Sequence, residues 1–277
     1  MSSSTIYLVS GSNRGIGMIA FACYQCAVPA MTFIQILGLG LVTQILAKHD
    51  SAFVYAGSRE PESSIALNEL KIQYPGRISV VKLVSADVKG NAALAKEIDA
   101  RHGRIDTVIA NAGIGKSMDL VHEVGGATIE EHFHVNVTGT VVLFQAVYDL
   151  LKKSKTPRFV PISTISGSLG GEIIKLPMGG VAYGATKAAL NWTTRKIHFE
   201  NDWLVAFPLS PGPVDTDMFQ FAVDTDTTGT LKKMLALFPS IPTVETASVA
   251  LVKIIDESSR EKEGGEFVEF DGTRILW

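Results

Sequence analysis

Tyr183 and Lys187 stand four residues apart in the run Tyr183-Gly184-Ala185-Thr186-Lys187. On a helix that spacing puts both side chains on one face. A phenol with an ordinary pKa of about 10 is a poor base at neutral pH, and a nearby ammonium favours its ionised form. Such a pair can give a proton to a developing alkoxide, or take one from an alcohol. Taken alone, the spacing equally describes an aromatic core residue with an exposed lysine one turn on. Further hydroxyls lie upstream, at Ser163, Thr164 and Ser166 in Ile162-Ser163-Thr164-Ile165-Ser166-Gly167. A loop of this composition also reads as ordinary turn chemistry.

The chain holds a glycine-rich run, Gly11-Ser12-Asn13-Arg14-Gly15-Ile16-Gly17, directly after an apolar segment. Glycines let a backbone approach a pyrophosphate closely, and a following helix N-terminus offers free N–H groups and the positive end of a dipole. The spacing is G-x-x-x-G-x-G, not the G-x-G-x-x-G of two-domain dehydrogenases. Metal chemistry has little support. His132-Phe133-His134 has no third ligand placed by the pattern, and both histidines read as ordinary helix residues. Cys23-x-x-Cys26 has no other cysteine to complete a zinc site and reads as chance.

Elements must position these groups. Strands are predicted at Thr5–Ser10, Ala52–Gly57, Ile78–Val84, Ile105–Ala110, Phe159–Ser163, Leu204–Leu209 and Glu266–Phe270. Amphipathic stretches alternate with them at Ser63–Gln73, Asn91–His102, Thr128–Lys153, Tyr183–Glu200 and Thr246–Ser258. Short buried strands alternating with helices imply right-handed crossovers. The expectation is therefore a single α/β domain, Rossmann-like, built on a doubly wound parallel sheet of seven strands. The 277 residues are 46% hydrophobic and 19% charged with a net charge of −3, which argues against a disordered chain and a nucleic-acid binder. Two cysteines exclude a disulfide scaffold. Met-Ser-Ser-Ser-Thr at the start lacks a positive n-region, so the expectation is a cytoplasmic protein.

Together these features resemble the short-chain dehydrogenase/reductase family, and the likeness covers almost the whole chain outside residues 18–38. Besides the glycine loop and Tyr-x-x-x-Lys, Asn111-Ala112-Gly113 closes the fourth strand, Asn136 sits in the next helix, and Pro211-Gly212-Pro213-Val214-Asp215-Thr216 follows the sixth strand. The resemblance implies a cofactor site formed by Gly11, Ser12, Arg14, Gly15, Ile16, Gly17, by Asn111, Ala112 and Gly113, and by Pro211, Gly212, Val214 and Thr216. Asp87-Val88 resembles the family's adenine-contacting pair. Tyr183 is then the general acid, and Lys187 lowers its pKa and binds the nicotinamide ribose. Asn136 holds a water connecting Lys187 to solvent. The family usually places a carbonyl-polarising serine just after the fifth strand, followed by two residues and a glycine. Here the pattern puts Thr164 there, with Ser163 the register-slip alternative and Ser166 another. The second strand ends Ala56-Gly57-Ser58-Arg59 with no acid before Arg59. An acidic residue there would favour a 2′-hydroxyl, whereas Arg59 and Arg14 suit a 2′-phosphate, so NADP(H) is expected.

The implied activity is an NADPH-dependent oxidoreductase interconverting a ketone and a secondary alcohol. The C-terminal run from Phe267 to Gly272 resembles fungal ketoreductases of the family, which implies secondary metabolism. The partner expected is a small carbonyl substrate, and a homo-oligomer is left open. Phe219, Phe221, Met234, Leu235 and Phe238 suggest an apolar lid over an apolar substrate; packing on the sheet is the plain alternative. The rival reading is a non-catalytic NADP-binding redox sensor, which has no need of a phenol beside a lysine.

Met18–Gly38 is the anomaly. No charged residue lies between Arg14 and Lys48, and this stretch is long and apolar enough to span a bilayer. Pro29, Gln25, Thr32 and Gln35, and the absence of flanking basic clusters, argue against that reading. Without these 21 residues, Gly15-Ile16-Gly17 joins Leu39-Gly40-Leu41-Val42, the normal start of the family's first helix. Permitted codons include a GT after the first base of Gly17 and an AG at Leu37-Gly38, so a retained intron, and with it an inactive isoform, is one expectation. A genuine insertion is the other. It would form the helix either from Ile16–Cys26 or from Ile36–Lys48, the latter leaving the glycines detached from the helix start.

Overall fold

The computed structural model describes residues 4–13, 37–236 and 240–277. Arg14, Gly15, Ile16, Gly17, most of the 18–38 segment and Phe238 lie outside the described residues. The strands are β1 (Thr5–Val9), β2 (Ala52–Ser58), β3 (Ile78–Lys82), β4 (Thr107–Ala110), β5 (Arg158–Pro161), β6 (Val205–Ala206), β7 (Leu209–Ser210) and β8 (Val268–Glu269). The helices are α1 (Leu37–Lys48), α2 (Ile65–Gln73), α3 (Val88–His102), α4 (Gly126–Phe133), α5 (Gly139–Lys152), α6 (Val181–Glu200), α7 (Asp217–Thr225), α8 (Thr230–Leu235) and α9 (Val244–Glu257). A π-helical turn, His134–Thr138, joins α4 to α5. Among the described residues no helix is long and apolar enough to cross a membrane.

Six strands form one parallel sheet in the order β3-β2-β1-β4-β5-β6, and β7 pairs with β8 in a second, two-stranded parallel sheet. The expected seven-stranded sheet is thus corrected to six plus two. The reason is Pro208. Leu204–Leu209 is not one strand, because proline carries no N–H for the ladder, and the run divides into β6 and β7. A single bridge, Ile162 to Leu209, still carries the smaller sheet alongside β5.

Alternating residues of each strand feed two cores. Tyr7 and Val9 face a layer with Leu41, Val42 and Ile45 of α1 and Leu251 and Ile255 of α9. Ile6 and Leu8 face the opposite layer, with Leu94 and Ile98 of α3 and Leu143 and Val147 of α5. Strand order reverses between β1 and β4, so the crevice at the carboxyl ends of these strands is the place where a doubly wound sheet takes a ligand.

Candidate active site

At that crevice Gly11 and Asn111 meet. The Asn111 amide donates to the carbonyls of Ser10 and Gly11 at 3.3 and 3.1 Å, and Ala112 N–H donates to Ser10 Oγ at 3.0 Å. Helix α1 begins beside them. Gly38 approaches the Gly11 carbonyl so closely that a Cβ there would collide with it and would lie 2.6 Å from Asn111 Nδ2. Among the described residues the helix runs from Leu37, in keeping with the later of the two routes, but the expected detachment is corrected for the first glycine: Gly11 abuts this end of α1, and Gly38 makes the close contact. Ser12 is fully buried, its hydroxyl donating to the Val9 carbonyl at 2.8 Å, so its side chain supports the turn from inside. Asn13, not singled out in the sequence, lines the cleft and donates to Ser64 Oγ at 2.7 Å; Ser64 is itself 2.8 Å from Ser58 Oγ. That chain of bonds ties the glycine loop to the end of β2, where Arg59 also lines the cleft.

Asp87 and Val88 fall outside the residues that line the cleft, whose β3 side is formed by Leu83, Val84 and Ser85. Ala86 adopts a left-handed φ of 62°, and Asp87 then caps α3 by accepting from Gly90 N–H at 2.9 Å. A carboxylate engaged with a helix start is a common structural use of aspartate.

Tyr183 and Lys187 project from the first two turns of α6. Lys187 is buried, its ammonium donating to the Ile162 carbonyl at 2.7 Å and lying 5.5 Å from the centre of the Tyr183 ring. Burial lowers the Lys187 pKa to about 8 and raises that of Tyr183 to about 12. The turn after β5 rests on the same helix because Gly167 has no side chain: a Cβ there would stand 2.7 Å from the Lys187 backbone. This is the physical content of the spacing from Thr164 to Gly167. Thr164 lines the cleft and caps the turn, its hydroxyl accepting from Ser166 N–H at 3.3 Å. Ser163 is buried, and its hydroxyl donates to Asn191 Oδ1 at 2.5 Å.

Asn136 occupies the π turn, where a local widening of the helix is often found at functional positions. Its Oδ1 accepts from Ile114 N–H at 2.8 Å, and its amide donates to the Ile114 carbonyl and Thr186 Oγ1, both at 3.0 Å. One turn earlier His132 is fully buried. Its Nδ1 donates to the Thr128 carbonyl at 2.7 Å and its Nε2 accepts from Lys116 N–H at 3.1 Å. His132 is a residue of α4, and with Asn136 it also fixes the 111–120 loop at two points. No spacing rule in the sequence marks it.

The matching family profile is that of the short chain dehydrogenases, over residues 35–227. The chain belongs to the short-chain dehydrogenase/reductase family. Within this family it is 32% identical to a norsolorinic acid ketoreductase of Dothistroma septosporum, covering 100% of this chain and 94% of the relative. It is 31% identical to that of Aspergillus parasiticus, covering 99% and 91%. Among solved short-chain dehydrogenase structures, an NADPH-bound carbonyl reductase from chicken fatty liver superposes with a TM-score of 0.79 at 23% identity, over 100% of both chains. The family match starts two residues before α1, leaving β1 and the glycine loop outside it.

The family's nicotinamide cofactor fits the residues present. A cleft of about 1270 Å³ runs from Asn13 and Arg59, past Asn111 and Gly113, to Tyr183 and on to the apolar wall of α7 and α8. Gly113 lets the polar groups come close to the backbone: a Cβ there would lie 3.3 Å from Asn136 Oδ1 and 3.7 Å from Lys187 Nζ. Pro211, Gly212, Val214 and Thr216 line the same cleft.

Proposed function

We propose that this chain is a single-domain, NADPH-dependent carbonyl reductase converting a ketone to a secondary alcohol. The observation that carries the proposal is the buried Lys187 ammonium beside the Tyr183 ring at the floor of the dinucleotide-sized cleft. A desolvated phenol with a pKa raised to about 12 keeps its proton, so Tyr183 is equipped to donate to a carbonyl oxygen as negative charge develops there. Lys187, charged below about pH 8, makes the resulting phenolate easier to form.

Thr164 supplies the second donor to the carbonyl oxygen. The buried bond from Ser163 to Asn191 favours this register, since it commits the Ser163 hydroxyl elsewhere. Bound NADPH supplies the hydride for the carbonyl carbon. Gly11 and Asn111–Gly113 would hold its diphosphate end, Lys187 its nicotinamide ribose, and the Pro211–Thr216 turn its nicotinamide end. The approach of Asn136 Oδ1 and Lys187 Nζ to the same Gly113 backbone supports a water-mediated link between them. Arg59, which lines the cleft at the end of β2, would pair with the 2′-phosphate. The NADPH bound to the chicken carbonyl reductase supports this choice, and the ketoreductase names of the fungal relatives support a ketone and a place in secondary metabolism.

The test is NADPH consumption with aryl ketones by the purified chain and by Tyr183→Phe. Turnover by the wild type alone, with equal NADPH binding by both, is expected. Equal turnover by the two proteins overturns the proposal.

A further inference from the structure

All four methionines among the described residues, Met118, Met178, Met218 and Met234, line the cleft. They come from four separate segments: the loop after β4, the loop before α6, α7 and α8. A thioether side chain is unbranched and polarisable, adapts its shape and packs well against aromatic rings. Met218 stands beside the chemistry. A methyl group placed on Gly115 would stand 3.3 Å from Met218 Sδ and 3.3 Å from Tyr183 Cδ2, closer than side chains ordinarily pack. Gly115 therefore lets the Met218 thioether and the Tyr183 ring edge both close in on its backbone. Thr216 fixes the start of α7 by accepting from Phe219 N–H at 3.3 Å, which holds Met218 in this place.

Charge in this half of the cleft is already engaged. Among the described lining residues, Lys116 is 2.6 Å from Glu131, and the Lys187 ammonium is bonded to the Ile162 carbonyl. The Asp119 carboxylate accepts from Ser117 Oγ at 2.8 Å. Binding an acidic substrate here would break an existing pair, whereas an apolar body meets sulfur, Phe219, Phe221 and Leu235.

We propose that Met218, packed with Tyr183 against the bare backbone of Gly115, sets the width of ketone the site admits, and that the site selects uncharged ketones with a bulky apolar substituent. This rests on the reductase reading above. A methyl on Gly115 pushes the thioether and the ring toward the cleft and narrows it, and shortening Met218 widens it. One methylene in an apolar pocket discriminates by about 10–200-fold, so single substitutions are enough to read the effect.

The experiment compares kcat/KM for 2-butanone, 1-tetralone and 2-acetylphenanthrene, with NADPH, in the wild type, Gly115→Ala, Met218→Ala and Met218→Leu. NADPH affinity and thermal midpoint are measured for each. The wild type is expected to prefer 1-tetralone to 2-butanone. Gly115→Ala should lower the preference for 1-tetralone over 2-butanone about tenfold. Met218→Ala should shift preference toward the three-ring ketone by a similar factor, and Met218→Leu should return it toward the wild type. Turnover with less than twofold change in these ratios in both Gly115→Ala and Met218→Ala overturns the inference and leaves the reductase reading standing. NADPH binding by the wild type with no turnover of any ketone overturns both.

Discussion

The backbone N–H of Lys116 donates to Nε2 of His132, a ring fully enclosed between α4 and the loop that roofs the cleft. Because Nδ1 is committed to the Thr128 carbonyl, this ring must present a lone pair to Lys116. His132 is thus a positioning residue: it acts on the cleft through the loop. His132→Leu should raise KM for ketone about tenfold, the scale of one buried bond left unmade. His132→Gln, which keeps an acceptor, should recover part of the loss. Steady-state kinetics for both variants check this, and equal KM for Leu and Gln would remove His132 from the account.

Reduction should be insensitive to pH well below about 8 and fall as pH rises through that value, where Lys187 loses its proton. The stability effect has the opposite sign. Burial lowers the folded-state pKa below the ordinary 10.5, so between about 8 and 10.5 the unfolded chain binds more protons and stability rises with pH. Lys187→Met should therefore abolish turnover while raising the thermal midpoint at neutral pH. A lowered midpoint would show that the bond to Ile162 outweighs the desolvation of the ammonium.

Thr164→Ala should lower kcat about 10²–10³-fold, the usual effect of losing one donor to a developing oxyanion, and Thr164→Ser should restore most of it. Ser163→Ala should instead lower the thermal midpoint, because it leaves Asn191 Oδ1 without its buried donor. If the two phenotypes are exchanged, the register of the hydroxyl donor is wrong by one residue.

Arg59→Asp should weaken NADPH binding and improve NADH binding, since a carboxylate repels a 2′-phosphate and accepts from a 2′-hydroxyl. Titration of both cofactors against both proteins measures it. Tighter NADH than NADPH binding by the unaltered chain would refute the preference.

Much of this was legible in the sequence because the period of the pattern and the order of the motifs agree. Alternating apolar strands and amphipathic helices direct Tyr183, Lys187 and Thr164 to one crevice, with Asn136 buried behind it. Three things were not legible. Pro208 divides a run that otherwise reads as one strand, and its effect depends on which neighbours require its missing N–H. The apolar region expected to form a lid contains α7 and α8, whose nine and six residues are too few to stand out as helices from sequence. His132 and Gly115 act through contacts with residues distant along the chain, and local composition carries no trace of them.

Deleting Met18–Gly38 should raise NADPH affinity and leave the sheet and α1 in place. In the shortened chain Gly17 precedes Leu39 and can take the contact Gly38 makes with Gly11, with Gly15 and Ile16 next to it in sequence. Cofactor titration and thermal midpoints of the two chains decide it. Equal affinity together with a higher midpoint for the longer chain would show that the segment belongs to the working enzyme.

The contact between Gly38 and Gly11 bears on how this chain would be told from a shorter one. Helix α1 is seated from its far side as well, where a Cβ on Gly40 would lie 2.5 Å from Val244 Cγ1 of α9. Its position is therefore dictated by contacts made from residue 38 onward, and the residue at the decisive contact is glycine with or without the 21-residue segment. Two messages differing by one in-frame segment would then share the seat of α1 on Gly11 and on α9. Intact mass would separate their products, and so would retention on a dye column that mimics a dinucleotide.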